Sequence, residues 1–372
     1  MFKNGTLWND IDGNPIHAHG GWMLSYGGYF YWYGEDRREN YYVSCYRSKD
    51  LRNWEFRNHI LTTESKMEPY RVRTKLQLIS ETGGKVNLER PKVLYNKKME
   101  KFVLWVHFEN GKDYTDAAIG IAECDTPDGD FVYHGHFNPY GYMSRDCTLF
   151  QEEDGTAYFI SAARDNADLH VYRLSEDYLN VEKLVHRLWQ GEYREAPSVI
   201  KSEEKYYMIT SFCTGWAPNQ GKYAVADSME GDWGMLKKIG DETTYQSQAA
   251  FLLNLNGQLL YIGDRWNAEN YFESGYVAYP LKVENGELVM EYCEETDVGK
   301  YLLEYRKDRL HGRMEFLPIQ SFTTECVFCR RISDRQRKGM KSRHERAALF
   351  GFFRNCSETL ISSDVNREGY AY

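Results

Sequence analysis

The sequence predicts an all-β fold, and more narrowly a five-bladed β-propeller with an irregular basic C-terminal tail. Three observations predict this fold. Aromatic residues make up 15% of the 372 residues, and aromatic side chains favour strands. Short apolar runs outnumber helical patterns, and turn sequences such as EDGT (153–156), PDGD (127–130) and LNGQ (255–258) separate them. One pattern also recurs along the chain.

The recurring pattern consists of a polar start, a short apolar strand, a turn and an aromatic-rich strand. The five copies start at His17, Glu89, Ser144, Arg194 and around Gln248. One position is shared by four copies, at separations of 56, 50 and 52 residues, and is held by Pro91, Cys147, Pro197 and Ala249. Single sheets of this size cannot bury both faces, whereas radial packing of five four-stranded sheets covers them.

The repeats end near residue 300, which predicts a propeller domain over residues 1–300 and a C-terminal extension over 301–372. The extension is basic and weakly patterned, as in RRISDRQRKGMKSRHERAALFGFF. It contains a single CxxC pair, Cys326 and Cys329, followed by His344 and Cys356. Zinc sites normally combine two closely spaced pairs. We therefore expect no metal site here and interpret the extension as a solvated tail.

Charge and hydropathy exclude several classes of partner. The net charge of −9 argues against nucleic-acid binding, which needs a basic face. No stretch approaches the ~18 consecutive apolar residues of a membrane span. The start of the chain shows no signal peptide, and the eight cysteines are scattered, so we predict a cytoplasmic protein. Secretion would be expected if a signal had been removed.

Polar residues at the start of each repeat converge on one pocket, because a propeller places the starts of its innermost strands around one axis. These residues are His17, His19, Glu35, Glu89, Arg90, Arg145, Asp146, Glu195, Gln246 and Gln248, and Asp264 and Arg265 follow the outer strand of the last repeat. Several carboxylates around one pocket suit glycosidic cleavage, which needs a protonated carboxyl on one side of the bond and a water-positioning group on the other. Burial and neighbouring negative charge would keep the acid protonated.

The motifs, taken in order, resemble those of glycoside hydrolase family 43, and within it the exo-β-1,3-galactanases (galactan 1,3-β-galactosidases). They are HAHGG…YWYGE, LERPKVLYN, SRD…LF…DGTAY, REAP…YY…TS…TGW and SQ…GDRW, and they span roughly residues 7–290. The resemblance implies a five-bladed propeller with inverting chemistry. It also implies a galacto-oligosaccharide or arabinogalactan-type substrate from which galactose is released.

The resemblance also implies three catalytic residues. Glu195 of the REAP motif would be the general acid. Asp146 of the SRD motif would raise the pKa of that acid and orient it. Gln248 of the SQ motif would hold the attacking water, in place of the aspartate base found in most of the larger family. Gln246 is the second choice for this position.

Other bases stay open at this point. A neutral amide is a poor base, so Gln248 could act as an imidic tautomer or could only orient water while Glu89 takes the proton. Asp10 and Asp12 lie near the first motif, and either could be an ordinary aspartate base.

The remaining matches imply binding residues. Glu35 and Glu89 would accept hydrogen bonds from galactose hydroxyls. The residues expected to line or shape the pocket are His19, Tyr114, Asn166, Thr214, Trp216, Arg265 and Trp266. No cofactor is required by this chemistry, and a structural calcium ion in the central channel, near His17 and His19, stays open.

Each of these residues also has a plainer interpretation, and two other functions compete. Glu195 could be a solvated charge, Asp146 a surface ion pair with Arg145, Gln248 a structural amide and Trp216 a core residue. The chain could be a family-43 α-L-arabinofuranosidase or β-xylosidase, which the glutamine in place of an aspartate base weighs against. It could also be a non-catalytic carbohydrate-binding propeller, but binding alone needs no acid with a tuned pKa.

Overall fold

Five antiparallel sheets of four strands each follow one another in a computed structural model, which describes residues 1–70, 74–255 and 257–302. In every sheet the strands lie side by side in chain order. The prediction of an all-β five-bladed propeller is confirmed. The predicted C-terminal extension falls outside the described residues from position 303 onward, and so do Cys326, Cys329, His344 and Cys356.

The strands are numbered β1 to β22 along the chain. A two-stranded sheet pairs β1 (Phe2–Lys3) with β22 (Glu295–Thr296). The first blade contains β2 (His19–Tyr26), β3 (Tyr29–Glu35), β4 (Tyr41–Ser48) and β5 (Glu55–Thr62). The second contains β6 (Asn87–Asn96), β7 (Lys101–Glu109), β8 (Ala118–Cys124) and β9 (Val132–Phe137). The third contains β10 (Cys147–Gln151), β11 (Ala157–Ala163), β12 (Asp168–Leu174) and β13 (Val181–Leu188).

The fourth blade contains β14 (Arg194–Ser202), β15 (Lys205–Phe212), β16 (Lys222–Ala226) and β17 (Lys237–Lys238). The fifth contains β18 (Gln248–Leu255), β19 (Gln258–Arg265), β20 (Gly275–Glu284) and β21 (Glu287–Met290). Two short 3-10 helices span Pro139–Gly141 and Tyr271–Glu273. No helix among the described residues is long and apolar enough to cross a membrane.

The first strand of each blade lies at the propeller axis, where β2, β6, β10, β14 and β18 contact their neighbours in a closed ring. Large aromatic side chains fill the wedges between blades. Trp105 of the second blade lies 4.7 Å from Phe159 of the third between ring centroids, and its indole N–H donates to the carbonyl of Tyr178 at 2.8 Å. Flat, bulky rings suit these narrow spaces, which accounts for the high aromatic content.

Four of the five innermost strands are interrupted by a β-bulge close to their start. The register shifts fall between His19 and Trp22, Glu89 and Lys92, Glu195 and Ser198, and Ala249 and Phe251. The residues with left-handed backbone in three of these bulges are Gly20 (φ +57°), Arg90 (φ +51°) and Ala196 (φ +49°). A bulge re-aims the side chain beside it and tolerates a proline. This is why proline follows Arg90 and Ala196 inside innermost strands.

The N-terminal segment closes the ring by pairing with the fifth blade. Gly5 and Thr6 exchange backbone hydrogen bonds with Tyr276 of β20, at 2.7 and 3.0 Å. The Asn4 side chain accepts from the Ala278 backbone N–H at 2.7 Å and donates to the carbonyls of Ala278 and Cys293 at 3.1 and 3.0 Å. Asn4 is buried, so these bonds are made without competition from water.

We expect the substitution Asn4→Ala to lower the free energy of unfolding by about 2 kcal/mol, because it leaves the buried N–H of Ala278 without an acceptor. Urea unfolding followed by circular dichroism measures the change. Asn14→Ala is the matched control, since Asn14 is exposed in the same segment and its loss should change stability by less than about 0.5 kcal/mol. Equal midpoints for the two variants would contradict this account of ring closure.

Candidate active site

The starts of the innermost strands meet at one end of the propeller. Because successive strands alternate in direction, the loops between the second and third strands of each blade lie at this same end. Glu195 is the second residue of β14 and is 7% exposed. Its Oε1 accepts from Gln248 Nε2 at 3.0 Å, and its Oε2 accepts from Asn166 Nδ2 at 3.2 Å. Three blades therefore contribute to this contact.

The pKa of Glu195 is raised to about 7. Burial is the main cause, and the negative charge of Asp146 adds to it. The positive charge of Arg90 and hydrogen bonds from Cys213 and Gln248 oppose the shift. A carboxyl group in this environment is both protonated and ionised in quantity near neutral pH, as a general acid must be.

Arg90 is the cation that links the acidic and amide groups of the site. Its side chain is buried and reaches the third and fifth blades from the second. Its Nε lies 2.6 Å from Asp146 Oδ2, its Nη2 donates to Gln248 Oε1 at 2.5 Å, and its Nη1 donates to the Ala249 carbonyl at 2.9 Å. Its backbone N–H donates to Glu35 Oε1 at 3.0 Å. The sequence placed Arg90 at the pocket but indicated no role for it.

Gln248 has all its amide hydrogen-bonding positions occupied. Its Oε1 accepts from Arg90 and from Trp266 Nε1 at 2.8 Å, and its Nε2 donates to Glu195 and to Ser211 Oγ at 2.9 Å. The guanidinium and indole groups only donate, so the amide oxygen has to face them. The alternative Gln246 is exposed in the turn before β18.

A second pair of buried carboxylates, Glu35 and Glu89, lies beside this group. Glu89 accepts from Tyr114 OH at 2.6 Å and from Arg37 Nη2 at 3.1 Å, and lies 3.4 Å from His107 Nδ1. Burial alone would raise the pKa of Glu89, but His107, Arg37 and Tyr114 together lower it to about 2. The pKa of Glu35 is raised, mainly by burial and also by the charge of Glu89.

Glu89, His107 and Asp146 offer three potential metal ligands whose atoms lie within 4.8 Å of one another. Calcium prefers six to eight oxygen ligands. Here Arg37 contacts Glu89 and Arg90 contacts Asp146, so each carboxylate already has a cation. Burial would lower the pKa of His107, but Glu109 and Glu89 raise it to about 9, and a protonated imidazole binds no metal. These residues do not fit calcium, and the question of a calcium ion elsewhere in the channel stays open.

Aromatic residues from the fourth and fifth blades form a wall on one side of the site. Trp216, in the loop between β15 and β16, stacks on Trp266 with ring centroids 5.6 Å apart and planes 14° apart. Tyr271 packs against both indoles at 6.0 Å. The two tryptophans line a cavity of about 250 Å³ that also reaches Gln248. Trp216 is half-buried, so part of it faces this space.

Three other predicted binding residues contact protein groups. Thr214 Oγ1 donates to the Ala217 carbonyl at 2.6 Å, which braces the loop that carries Trp216. Arg265 Nη2 donates to the Tyr245 carbonyl at 2.9 Å, and the guanidinium lies against Gly5. His19 is buried, and its Nδ1 lies 2.9 Å from Asp264 Oδ1. Their predicted roles toward a sugar stay predictions.

Four residues of the site were not predicted from the sequence: Arg37, His107, Ser211 and Cys213. Arg90 and Asp264 were placed near the pocket but were given no role. The signal for Arg90 was the shortage of cations among the polar starts of the repeats, since buried carboxylates need a partner. The signal for Asp264 was strand alternation, which places it opposite Arg265 on β19. His107 and Ser211 lie on β7 and β15, the second strands of their blades. No sequence motif indicates that these two side chains face the pocket.

We expect the Glu195 carboxyl to titrate near pH 7, and we expect Asp146→Asn to move this titration to lower pH. The substitution removes a negative charge that favours the protonated acid and leaves Arg90 without its partner, so both effects favour ionisation. Carboxyl-carbon NMR measures the titration, with Glu195→Gln to assign the signal. Asp227→Asn is the control, because Asp227 is exposed and pairs with Lys205. An unchanged titration in Asp146→Asn would contradict the coupling.

Comparison with known proteins agrees with this geometry. The family model for glycosyl hydrolases family 43 matches residues 13–250. An exo-β-1,3-galactanase from Clostridium thermocellum is 43% identical with a TM-score of 0.71, over 78% of this chain and 65% of that one. An exo-β-1,3-galactanase from Phanerochaete chrysosporium, solved with β-1,3-galactotriose, is 34% identical with a TM-score of 0.70, over 79% of this chain and 67% of that one.

A family-43 β-1,3-galactosidase solved with galactodeoxynojirimycin is 29% identical with a TM-score of 0.72, over 80% of this chain and all of that one. No curated protein sequence matches the chain. The chain spans slightly less than two thirds of the length of the Clostridium protein. The family model covers more than half of the chain, and its range contains Glu89, Asp146, Glu195 and Gln248. The chain belongs to glycosyl hydrolase family 43.

Proposed function

We propose that the chain is an inverting, exo-acting glycoside hydrolase that releases galactose from β-1,3-galactan or its oligosaccharides. The observation that carries the proposal is the environment of Glu195, a buried carboxyl group with a pKa of about 7 beside a second carboxylate. The compared relatives support the choice of sugar, since their names include exo-β-1,3-galactanase and β-1,3-galactosidase, and one was solved with galactotriose.

Glu195 acts as the general acid. In its protonated form it donates to the glycosidic oxygen as the bond to the anomeric carbon breaks, and it becomes a carboxylate. The donor directed at its other oxygen, Asn166 Nδ2, then stabilises the new negative charge. Asp146 stays paired with Arg90 and raises the pKa of the acid by its charge. Asp146 is therefore a positioning residue in this mechanism.

The attacking water is oriented by Gln248 in the amide form. An imidic oxygen would carry its own proton, and the Gln248 oxygen faces two groups that only donate, Arg90 and Trp266. Inverting enzymes separate the acid from the water-positioning group by roughly 6.5–9.5 Å, whereas Gln248 and Glu195 are in direct contact. A sugar bound between them therefore breaks this hydrogen bond and leaves the Gln248 amide N–H free for water. The water oxygen forms the new bond to the anomeric carbon and its surplus proton passes to solvent water. The Glu195 carboxylate regains its proton from solvent once the products leave.

Glu35 and Glu89 are binding residues in this proposal. Glu89, with a pKa of about 2, stays ionised over the whole working range, so it accepts hydrogen bonds from sugar hydroxyls but takes a proton poorly. The pentosidase alternatives lack a specific supporting observation in this site. A non-catalytic binding propeller would not need a carboxyl group held at the pKa of Glu195.

We expect the full chain to release galactose from β-1,3-galactobiose and β-1,3-galactotriose, with α-galactose appearing first in proton NMR spectra because the reaction inverts. Glu195→Gln should lower kcat by roughly 10²–10⁴-fold, because it removes the proton donor. Arabinofuranosyl and xylosyl aryl glycosides are tested alongside. Activity only on these pentosides would overturn the choice of sugar. A folded chain with no activity on any of these substrates would favour a binding propeller.

The identity of the water-positioning group is tested by comparing Gln248→Ala with Glu89→Gln. We expect Gln248→Ala to lower kcat by at least about 100-fold, because the attacking water loses the N–H that orients it. Azide should restore turnover, because it is an anionic nucleophile and stronger than water. We expect Glu89→Gln to raise KM while keeping most of kcat, because the binding acceptor loses its charge. A loss of kcat in Glu89→Gln, with azide rescue, would instead identify Glu89 as the base.

A further inference from the structure

Arg37 lies between the two buried carboxylates of the first and second blades. It follows β3, and its Nε and Nη2 donate to Glu35 Oε2 at 3.1 and 2.9 Å. The same Nη2 donates to Glu89 Oε1 at 3.1 Å. Glu35 and Glu89 are 2% and 8% exposed, and the positive charge of Arg37 favours the ionised form of each.

Arg37 also reaches the aromatic wall on the far side of the site. Its guanidinium carbon lies 4.5 Å from the centroid of the Tyr271 ring and 5.6 Å from that of Trp216. Cations at these distances from ring faces are attracted to them. One side chain therefore joins the acceptors of the first and second blades to the stacking surface of the fourth and fifth.

The third nitrogen of this guanidinium makes no hydrogen bond within the described part of the chain. Nε and Nη2 make the contacts to Glu35 and Glu89, whereas Nη1 has no hydrogen-bond acceptor among residues 1–70, 74–255 and 257–302. About a third of the Arg37 side chain is exposed. An Nη1 with two free N–H groups, beside two carboxylates and an indole, matches the donors, acceptors and apolar face of a sugar ring.

We propose that Arg37 is a substrate-binding residue that recognises the terminal sugar, donating from Nη1 to a ring hydroxyl while it holds Glu35 and Glu89 as acceptors for others. The inference rests on the proposed function for the identity of that sugar. Arginine is suited to this task because its planar fork binds two groups in fixed directions, whereas lysine offers a single point charge.

Binding is measured separately from hydrolysis, in the full chain carrying Glu195→Gln. Galactose, arabinose and xylose are titrated by calorimetry into this protein and into versions that also carry Arg37→Met, Arg37→Gln or Arg37→Lys. Arg38→Met is the matched control. Arg38 is the next residue and forms a comparable pair with Asp36, at 2.6 and 2.9 Å, but it has no contact with Glu35 or Glu89 among the described residues.

We expect Arg37→Met and Arg37→Gln to weaken galactose binding by roughly tenfold to hundredfold, as loss of charge-assisted hydrogen bonds does. Arg37→Lys should recover part of the affinity, and Arg38→Met should leave it unchanged. In the chain with intact Glu195, the same Arg37 substitutions should raise KM for β-1,3-galactobiose far more than they lower kcat. Circular dichroism and thermal melting select the Arg37 variant that folds like the parent.

Galactose affinity and KM that are unchanged in a folded Arg37 variant would overturn the inference while leaving the proposed function standing. If the chain releases no galactose, the proposed function fails, and Arg37 is judged on whichever monosaccharide the Glu195→Gln protein binds. Affinity for that sugar that is independent of Arg37 overturns the inference, and affinity that depends on it supports the inference. If the chain also releases no galactose, absence of binding to all three sugars overturns both. In a chain that does release galactose, the effect of the Arg37 substitutions on KM for β-1,3-galactobiose decides the inference.

Discussion

The pairing of Arg90 with the acidic groups around it is the interaction on which the candidate site depends. A buried charge costs several kcal/mol unless it is paired and hydrogen-bonded, and Arg90 is the buried cation that contacts Asp146, Gln248 and the carboxylate of Glu35. It comes from the second blade and ties the first, third and fifth blades together at the axis. Its left-handed backbone, within a bulge, directs the peptide N–H to Glu35 while the side chain spans the pocket.

Glu89 and Glu195 occupy similar backbone positions, but their different partners give them very different pKa values. Both lie beside a bulge near the start of an innermost strand and both are buried. Glu89 contacts Tyr114, Arg37 and a protonated His107, and its pKa falls to about 2. Glu195 receives hydrogen bonds from neutral groups and lies near Asp146, and its pKa rises to about 7. The same local geometry thus gives an ionised carboxylate in one blade and a carboxyl group that titrates near neutral pH in another.

The fold could be predicted from the sequence because its signals are local and repeated. Alternating aromatic strands, turn sequences and the roughly fifty-residue spacing each describe one blade, and five similar blades have few ways to cover their faces. The positions of the main site residues could also be predicted, since each starts a repeat. The bulges were not predicted, although the prolines after Arg90 and Ala196 mark two of them. The contact of Arg265 with Gly5 could not be predicted either, because it depends on ring closure by the N-terminal segment.

The sequence by itself determined the all-β propeller, the residues that gather at one end of its axis and the family to which the motifs are similar. Only the tertiary structure decided which groups each residue contacts there. It showed that the Arg90 guanidinium pairs with Asp146, that the Gln248 oxygen faces hydrogen-bond donors and that Arg37 joins two carboxylates to an aromatic wall. The physical reason is that pKa values and hydrogen-bond partners are set by groups from different blades, 50 to 160 positions apart in the chain, whereas strand patterns are set by neighbours.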